Sequence, residues 1–97
     1  MAELLTDDQI DAAVKGDLSN WEVVEKSLVR SVKNPTFLDG IRLVATVAQL
    51  AEAMNHHPDV DIRWTTVTFR LWTHALGGLT EYDLELARRI DAAVAAR

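Results

Sequence analysis

The chain contains no cysteine, which excludes a disulfide framework, a thiol nucleophile and thiolate metal ligation, and fits a cytoplasmic setting. Basic residues are scarce as well. Ten Lys and Arg stand against 15 Asp and Glu, for a formal net charge of −5. That balance removes the cationic surface needed for non-specific binding to nucleic acid or anionic membranes. No apolar run approaches the roughly 20 residues that span a bilayer, and Met1 to Asp8 is too acidic and too short in apolar residues for a secretory signal. Neither an internal repeat nor a low-complexity segment is present. Nucleophilic serine arrangements, phosphate-binding glycine loops and dinucleotide fingerprints are also missing. Glycine occurs four times and proline twice, so each marks a boundary or a close approach. What remains is ordinary for a globular protein: 48% apolar and 26% charged residues over 97 positions, the size of one domain spanning 1–97.

Thr6 reads as a helix N-cap with Gln9 completing a capping box, Leu5 and Ile10 as the hydrophobic staple, and Gly16 as the stop, predicting a first helix over about 7–15. Trp21 to Glu25 and Leu28 to Val32 are rich in β-branched and aromatic residues and predict a hairpin, although the Asn-Gly or Asp-Gly turn signal is absent. Asn34 as cap and Pro35 at the first helical position open a long helix over about 35–56. Phe37, Ile41, Val44, Ala48 and Ala51 form one apolar row, with Leu43, Val47, Leu50 and Met54 beside it. Gly40 in its interior costs about 1 kcal/mol against alanine and points to close packing on the sheet; Pro58 ends the helix. Val60 to Trp64 alternates as a short strand, and Thr65 to Thr73 as a stronger one with Val67, Phe69 and Leu71 on one face. Thr80 with Asp83 resembles the capping arrangement of a last helix reaching about residue 95. The order α-β-β-α-β-β-α predicts an α+β fold: a four-stranded antiparallel sheet with three helices packed on one face.

All three histidines lie in one third of the chain. The spacing runs Glu52, three residues, His56-His57-Pro58, five residues, Trp64, nine residues, His74, eight residues, Asp83. Histidine titrates near neutrality, so such a concentration points to proton transfer. Glu52 and His56 are four apart and share a helical face, which makes them either an exposed ion pair or half of an active site. His57 lies about 100° away on a helix, and the break at Pro58 lets both rings approach one ligand, the alternative being a histidine that satisfies hydrogen bonds at the break. Asp83 has a structural task at a helix N-terminus, compatible with orienting a histidine. Trp64 and Trp72 are core or interface residues as readily as ligand platforms. Metal binding finds little support, because the adjacent pair is awkward for chelation and a helical His-Glu-x-x-His is missing.

The pattern of acidic residue, His-His-Pro, aromatic, third histidine and aspartate resembles the pterin-4a-carbinolamine dehydratases. A Trp near position 20, the Ala/Val-rich helix before His-His-Pro, and Thr-His followed by Gly-Gly-Leu-Thr fit the same family. The resemblance implies the fold above and a lyase that removes water from 4a-hydroxytetrahydropterin, giving quinonoid dihydropterin in tetrahydrobiopterin recycling, without metal or redox cofactor. It implies His56, His57 and His74 as catalytic residues: His56 and His74 for the leaving hydroxyl, His57 for the ring and as base. Glu52 would tune His56, Asp83 would support the site, and Asn55, Pro58 and Trp64 would contact substrate. Two departures stand out: Val60 where many relatives have Trp, and Asn55 where some have Asp. A homodimer or homotetramer built by strand pairing is also implied. So is an alternative, a non-catalytic binding or dimerisation module, since members also serve as a cofactor of a homeodomain transcription factor or as assembly factors.

Overall fold

The capping box at Thr6 forms as the sequence predicts: the Thr6 hydroxyl accepts from the Gln9 N–H at 3.2 Å and the Gln9 side chain accepts from the Thr6 N–H at 2.9 Å. It starts α1 (Asp7–Lys15), the first element of a computed structural model that describes residues 2–97. Next come β1 (Glu22–Val24), β2 (Ser27–Lys33), α2 (Phe37–Met54), β3 (Asp59–Arg63), β4 (Thr66–Leu71) and α3 (Glu81–Ala95). The four strands make one antiparallel sheet in the order β1-β2-β4-β3.

Both hairpins turn on two residues, Glu25-Lys26 and Trp64-Thr65, and the first residue of each is left-handed, with φ of 57° at Glu25 and 51° at Trp64. These positions usually take glycine or asparagine, which is why the turns were hard to place from the sequence. Trp64 is therefore not the last residue of β3. It stands at a turn, 80% exposed.

The register sets Leu28 opposite Leu71 and Val32 opposite Val67, so these four and Phe69 face one side. All five are buried in a single cluster with Ala13 of α1, Leu43 and Val47 of α2, and Leu84, Ala87 and Ile90 of α3. Arg30 shares that inward register, opposite Phe69. Its guanidinium is paired with Asp91 of α3, whose Oδ1 also accepts from Trp21 Nε1 at 2.8 Å. The other sheet face is more polar, carrying Arg70 opposite Val29, and Ser31 and Thr68 hydrogen-bonded across it at 2.7 Å.

The start of α2 corrects the sequence expectation. Thr36 is the cap, its hydroxyl accepting from the Asp39 N–H at 3.1 Å. Asn34 is buried instead, its amide donating to the carbonyls of Val32 (3.1 Å) and Thr65 (2.8 Å). It thereby clips the end of β2 to the β3–β4 turn, a use available to an asparagine that has no free helix N–H within reach. The inward stripe of α2 is Gly40, Leu43, Val47 and Ala51, whereas Phe37 is 51% exposed and Ala48 is also outside the core. Gly40 is where close approach demands glycine: a Cβ there would stand 3.2 Å from both Val67 Cγ2 and Asn34 Nδ2.

Candidate active site

The far end of α2 builds the site. The helix stops at Met54, before Pro58 is reached, because Asn55 takes the left-handed conformation (φ 50°, ψ 44°). The Asn55 N–H bonds the Glu52 carbonyl at 3.1 Å and the His56 N–H bonds the Ala51 carbonyl at 3.0 Å. That pair of bonds is a Schellman motif, which asparagine tolerates better than most residues. Its consequence is chemical: His56 leaves the helical face of Glu52.

His56 therefore does not pair with Glu52, as their spacing suggested. Its Nε2 stands 2.6 Å from Asp83 Oδ1, and Glu52 pairs instead with His57 at the surface. Asp83 is 0% exposed, yet its carboxylate is fully engaged. Oδ2 accepts from the Thr80 N–H at 2.9 Å and the Thr73 hydroxyl at 2.8 Å. Thr73 and Thr80 hydroxyls are themselves 2.8 Å apart; since Thr73 spends its only hydroxyl proton on Asp83, Thr80 donates to Thr73. An ionised carboxylate can only accept, so the proton in the His56–Asp83 bond lies on Nε2. Nδ1 has no hydrogen-bond partner among the described residues and is the atom left free to exchange a proton.

The ring of Tyr82 lies 5.8 Å from that of His56, centroid to centroid. Beside them is a hollow of about 470 Å³ lined by Met54, Asn55, His56, Thr73, Ala75 and Leu76. His74 is exposed and its ring packs on Trp72, with centroids 4.1 Å apart. The alternation of the strand accounts for this: Thr73 turns inward to Asp83, so the residues on either side of it turn the other way. Trp72 Nε1 in turn donates to Asp59 Oδ2 at 3.3 Å, and Asp59 follows His57 and Pro58 directly. The structure thus brings together His56, Asp83 and Thr73, pairs His57 with Glu52, and stacks His74 on Trp72. Trp64, at its turn beyond β3, enters none of these contacts. Thr73 and Tyr82 were missed in the sequence. Thr73 had a signal: it continues the buried register of Val67, Phe69 and Leu71, where a polar residue needs a partner.

Among the described residues no group of three or more His, Cys, Asp or Glu is gathered closely enough to hold a metal ion, and no helix is long and apolar enough to cross a membrane.

Comparison with known proteins agrees with this architecture. The family described as Pterin 4 alpha carbinolamine dehydratase matches residues 3–93. A protein of Mycobacterium sp. (strain KMS), carrying the provisional name pterin-4-alpha-carbinolamine dehydratase, is 60% identical over 88 residues, covering 91% of this chain and 93% of its own. A protein of Mycobacterium avium (strain 104) with the same provisional name is 55% identical over 91 residues, covering 94% and 96%. The crystal structure of a transcriptional coactivator/pterin dehydratase from Brucella melitensis superposes with a TM-score of 0.87 at 30% identity, covering 94% of this chain and 98% of that one.

Proposed function

Because the chain belongs to the pterin-4a-carbinolamine dehydratase family, we propose that it removes water from a 4a-hydroxytetrahydropterin by histidine acid–base catalysis, in tetrahydrobiopterin recycling. The reaction needs one proton delivered to the 4a-hydroxyl as it leaves and one taken from N5 as the C4a–N5 double bond forms. Positioned groups that do this contribute about 10²–10⁴-fold each. The observation that carries the reading is Asp83: one buried carboxylate holds both His56 and Thr73. It thereby seats the His56-His57-Pro58 corner against the strand end that bears His74.

In this reading Asp83 fixes the His56 tautomer and leaves Nδ1 to exchange a proton with the substrate, the same logic by which a buried aspartate orients a catalytic histidine elsewhere. His56 and His74 serve the departing hydroxyl, and His57, held by Glu52, contacts the ring and takes the N5 proton. Asn55 and Pro58 shape the corner. A stopped-flow assay of 4a-hydroxytetrahydropterin loss with purified protein tests this: catalysis well above the spontaneous rate is expected, and a rate equal to the uncatalysed one refutes it.

A binding role on the same fold is favoured by one feature. The edge strand β3 exposes Val60 (40%) and Ile62 (39%) beside unpaired backbone, the composition of an edge that another chain covers. The Brucella protein carries both a coactivator and a dehydratase description. We assign this edge to self-association into a dimer or tetramer; light scattering showing a monomer at micromolar concentration would remove it.

A further inference from the structure

A second hollow, of about 340 Å³, opens on the polar face of the sheet and is lined by Glu25, Lys26, Ser27, Asp59, Arg70 and Trp72. The residues come from four places that the topology brings to one end of the sheet. The β1–β2 turn supplies Glu25 and Lys26, the start of β2 Ser27, the start of β3 Asp59, and the end of β4 with the residue just after it Arg70 and Trp72. Asp59 and Arg70 are cross-strand partners. None of the four charged residues enters an ion pair among the described residues. Among the described residues Arg70 donates only to the neutral hydroxyl of Ser27, at 2.8 Å. Four formal charges of balanced sign, left without mutual partners around an indole, are unusual in a chain that pairs most of its other arginines.

This hollow adjoins the histidines. Trp72 is the ring on which His74 stacks, and it is hydrogen-bonded to Asp59, two residues after His57. We propose that the hollow takes the polyhydroxylated substituent carried on the pterin ring, making Trp72, Asp59 and Arg70 specificity-determining residues. The inference rests on the dehydratase reading and extends it to substrate class. Each hydroxyl of such a chain both donates and accepts, so it meets Arg70 and Lys26 as acceptor and Asp59 and Glu25 as donor. Its C–H faces pack on the indole, which offers an apolar body with a polar tip. The balanced charge argues against an anionic tail. The volume is at the small end of ligand pockets, which run from roughly 300 to 1,000 Å³, and suits a short chain rather than a second ring system. The reacting ring itself must lie nearer the imidazoles, on the other side of Trp72.

The test compares kcat/KM for two 4a-hydroxytetrahydropterins, one with a 6-methyl group and one with a 6-dihydroxypropyl group. Wild-type protein is expected to favour the hydroxylated substrate by about tenfold or more, the worth of one or two well-made hydrogen bonds. In Trp72→Ala, and separately in Arg70→Gln, the ratio of the two kcat/KM values is expected to fall to near one, through a raised KM for the hydroxylated substrate. Arg70→Gln keeps a donor for Ser27 and is the safer variant for folding. Equal kcat/KM for both substrates in the wild type, or a preference that survives both substitutions, overturns the inference and leaves the dehydratase reading standing. Failure of the wild type to turn over either pterin overturns both.

Discussion

Replacing Asp83 separates the two tasks that meet in its carboxylate. Asp83→Ala removes the acceptor of three donors at once: the Thr80 N–H, the Thr73 hydroxyl and the His56 ring. The residue is fully buried, so no water replaces it without rearrangement. Loss of the capping interaction costs about 1 kcal/mol, and each buried donor left unpaired adds about 1–3 kcal/mol. Some relaxation is certain, which places the total at roughly 3–5 kcal/mol. For a domain of this size 1 kcal/mol moves Tm by about 4–8 °C, so the variant is expected to be barely folded at 37 °C.

Asp83→Asn is the sharper probe. Its side-chain oxygen can still accept from Thr73 and from the Thr80 N–H, so Thr80 remains the cap and the reciprocal bond of the capping box survives. Stability is expected to fall by only about 1–2 kcal/mol. The amide nitrogen, however, now faces His56 Nε2, and two donors cannot share a hydrogen bond. The imidazole proton must move to Nδ1, which reverses the tautomer at the atom facing substrate. Catalysis of dehydration is expected to drop about 10²-fold or more, the range associated with losing one positioned acid or base. Urea denaturation gives the first number and stopped-flow loss of 4a-hydroxytetrahydropterin the second. A folded Asp83→Asn protein with wild-type kcat would show that the His56 tautomer is irrelevant and that Asp83 is a helix cap only.

Substitutions at the histidines, at Gly40 and at the Arg30–Asp91 pair probe the site and its support. His57→Ala and His74→Ala, both at exposed positions, should lower kcat by about 10²–10⁴-fold with unchanged urea midpoints, whereas His56→Ala should do so and also lose about 1–2 kcal/mol by unpairing buried Asp83; full activity in both His56→Ala and His74→Ala would end the assignment. Gly40→Ala sets about 1 kcal/mol of helix propensity against contacts at 3.2 Å with two buried neighbours, Val67 and Asn34. Overpacking of this kind costs about 1–3 kcal/mol, so the net change should be destabilising in thermal denaturation, and a raised Tm would show that α2 stands off the sheet more than described. Asp91→Ala strands a guanidinium and an indole N–H that are mostly shielded from water, and should cost about 3–5 kcal/mol, with Arg30→Met costing much less.

The elements were legible where local chemistry and packing agree. Thr6 with Gln9, and Thr80 with Asp83, announce their helices because a capping box is a purely local arrangement, and both form. The inward register of Val67, Phe69 and Leu71 was legible for the same reason, since a period of two can be satisfied only by burying one face. The boundaries of α2 were not. Asn34 looks like a cap because asparagine usually is one, but here the carbonyls of Val32 and Thr65 compete for its amide, and Thr65 is 31 residues away. No local pattern encodes that. Phe37 was assigned to the core by periodicity alone; it is the first residue of α2 and is 51% exposed, whereas the buried stripe begins at Gly40.

The site illustrates the same division. The spacing of Glu52, His56, His57, His74 and Asp83 identified the residues, but periodicity predicted the wrong pairing. The i, i+4 relation of Glu52 and His56 holds only while the helix continues, and it stops at Met54, two residues short of His56. A single left-handed residue, Asn55, rotates the chain so that His56 goes inward to Asp83 and His57 inherits Glu52. The strand end works the same way in reverse. Strict alternation sends Thr73 to Asp83 and turns Trp72 and His74 away from that carboxylate, onto each other. Both corners are therefore decided by one residue each, and the buried Asp83 carboxylate joins them. An Asn55→Ala substitution bears on this directly. Alanine in the left-handed region is strained by about 1 kcal/mol or more, which favours extending α2 by a turn and returning His56 to Glu52. The expected result is a loss of dehydration activity larger than the loss of stability would explain.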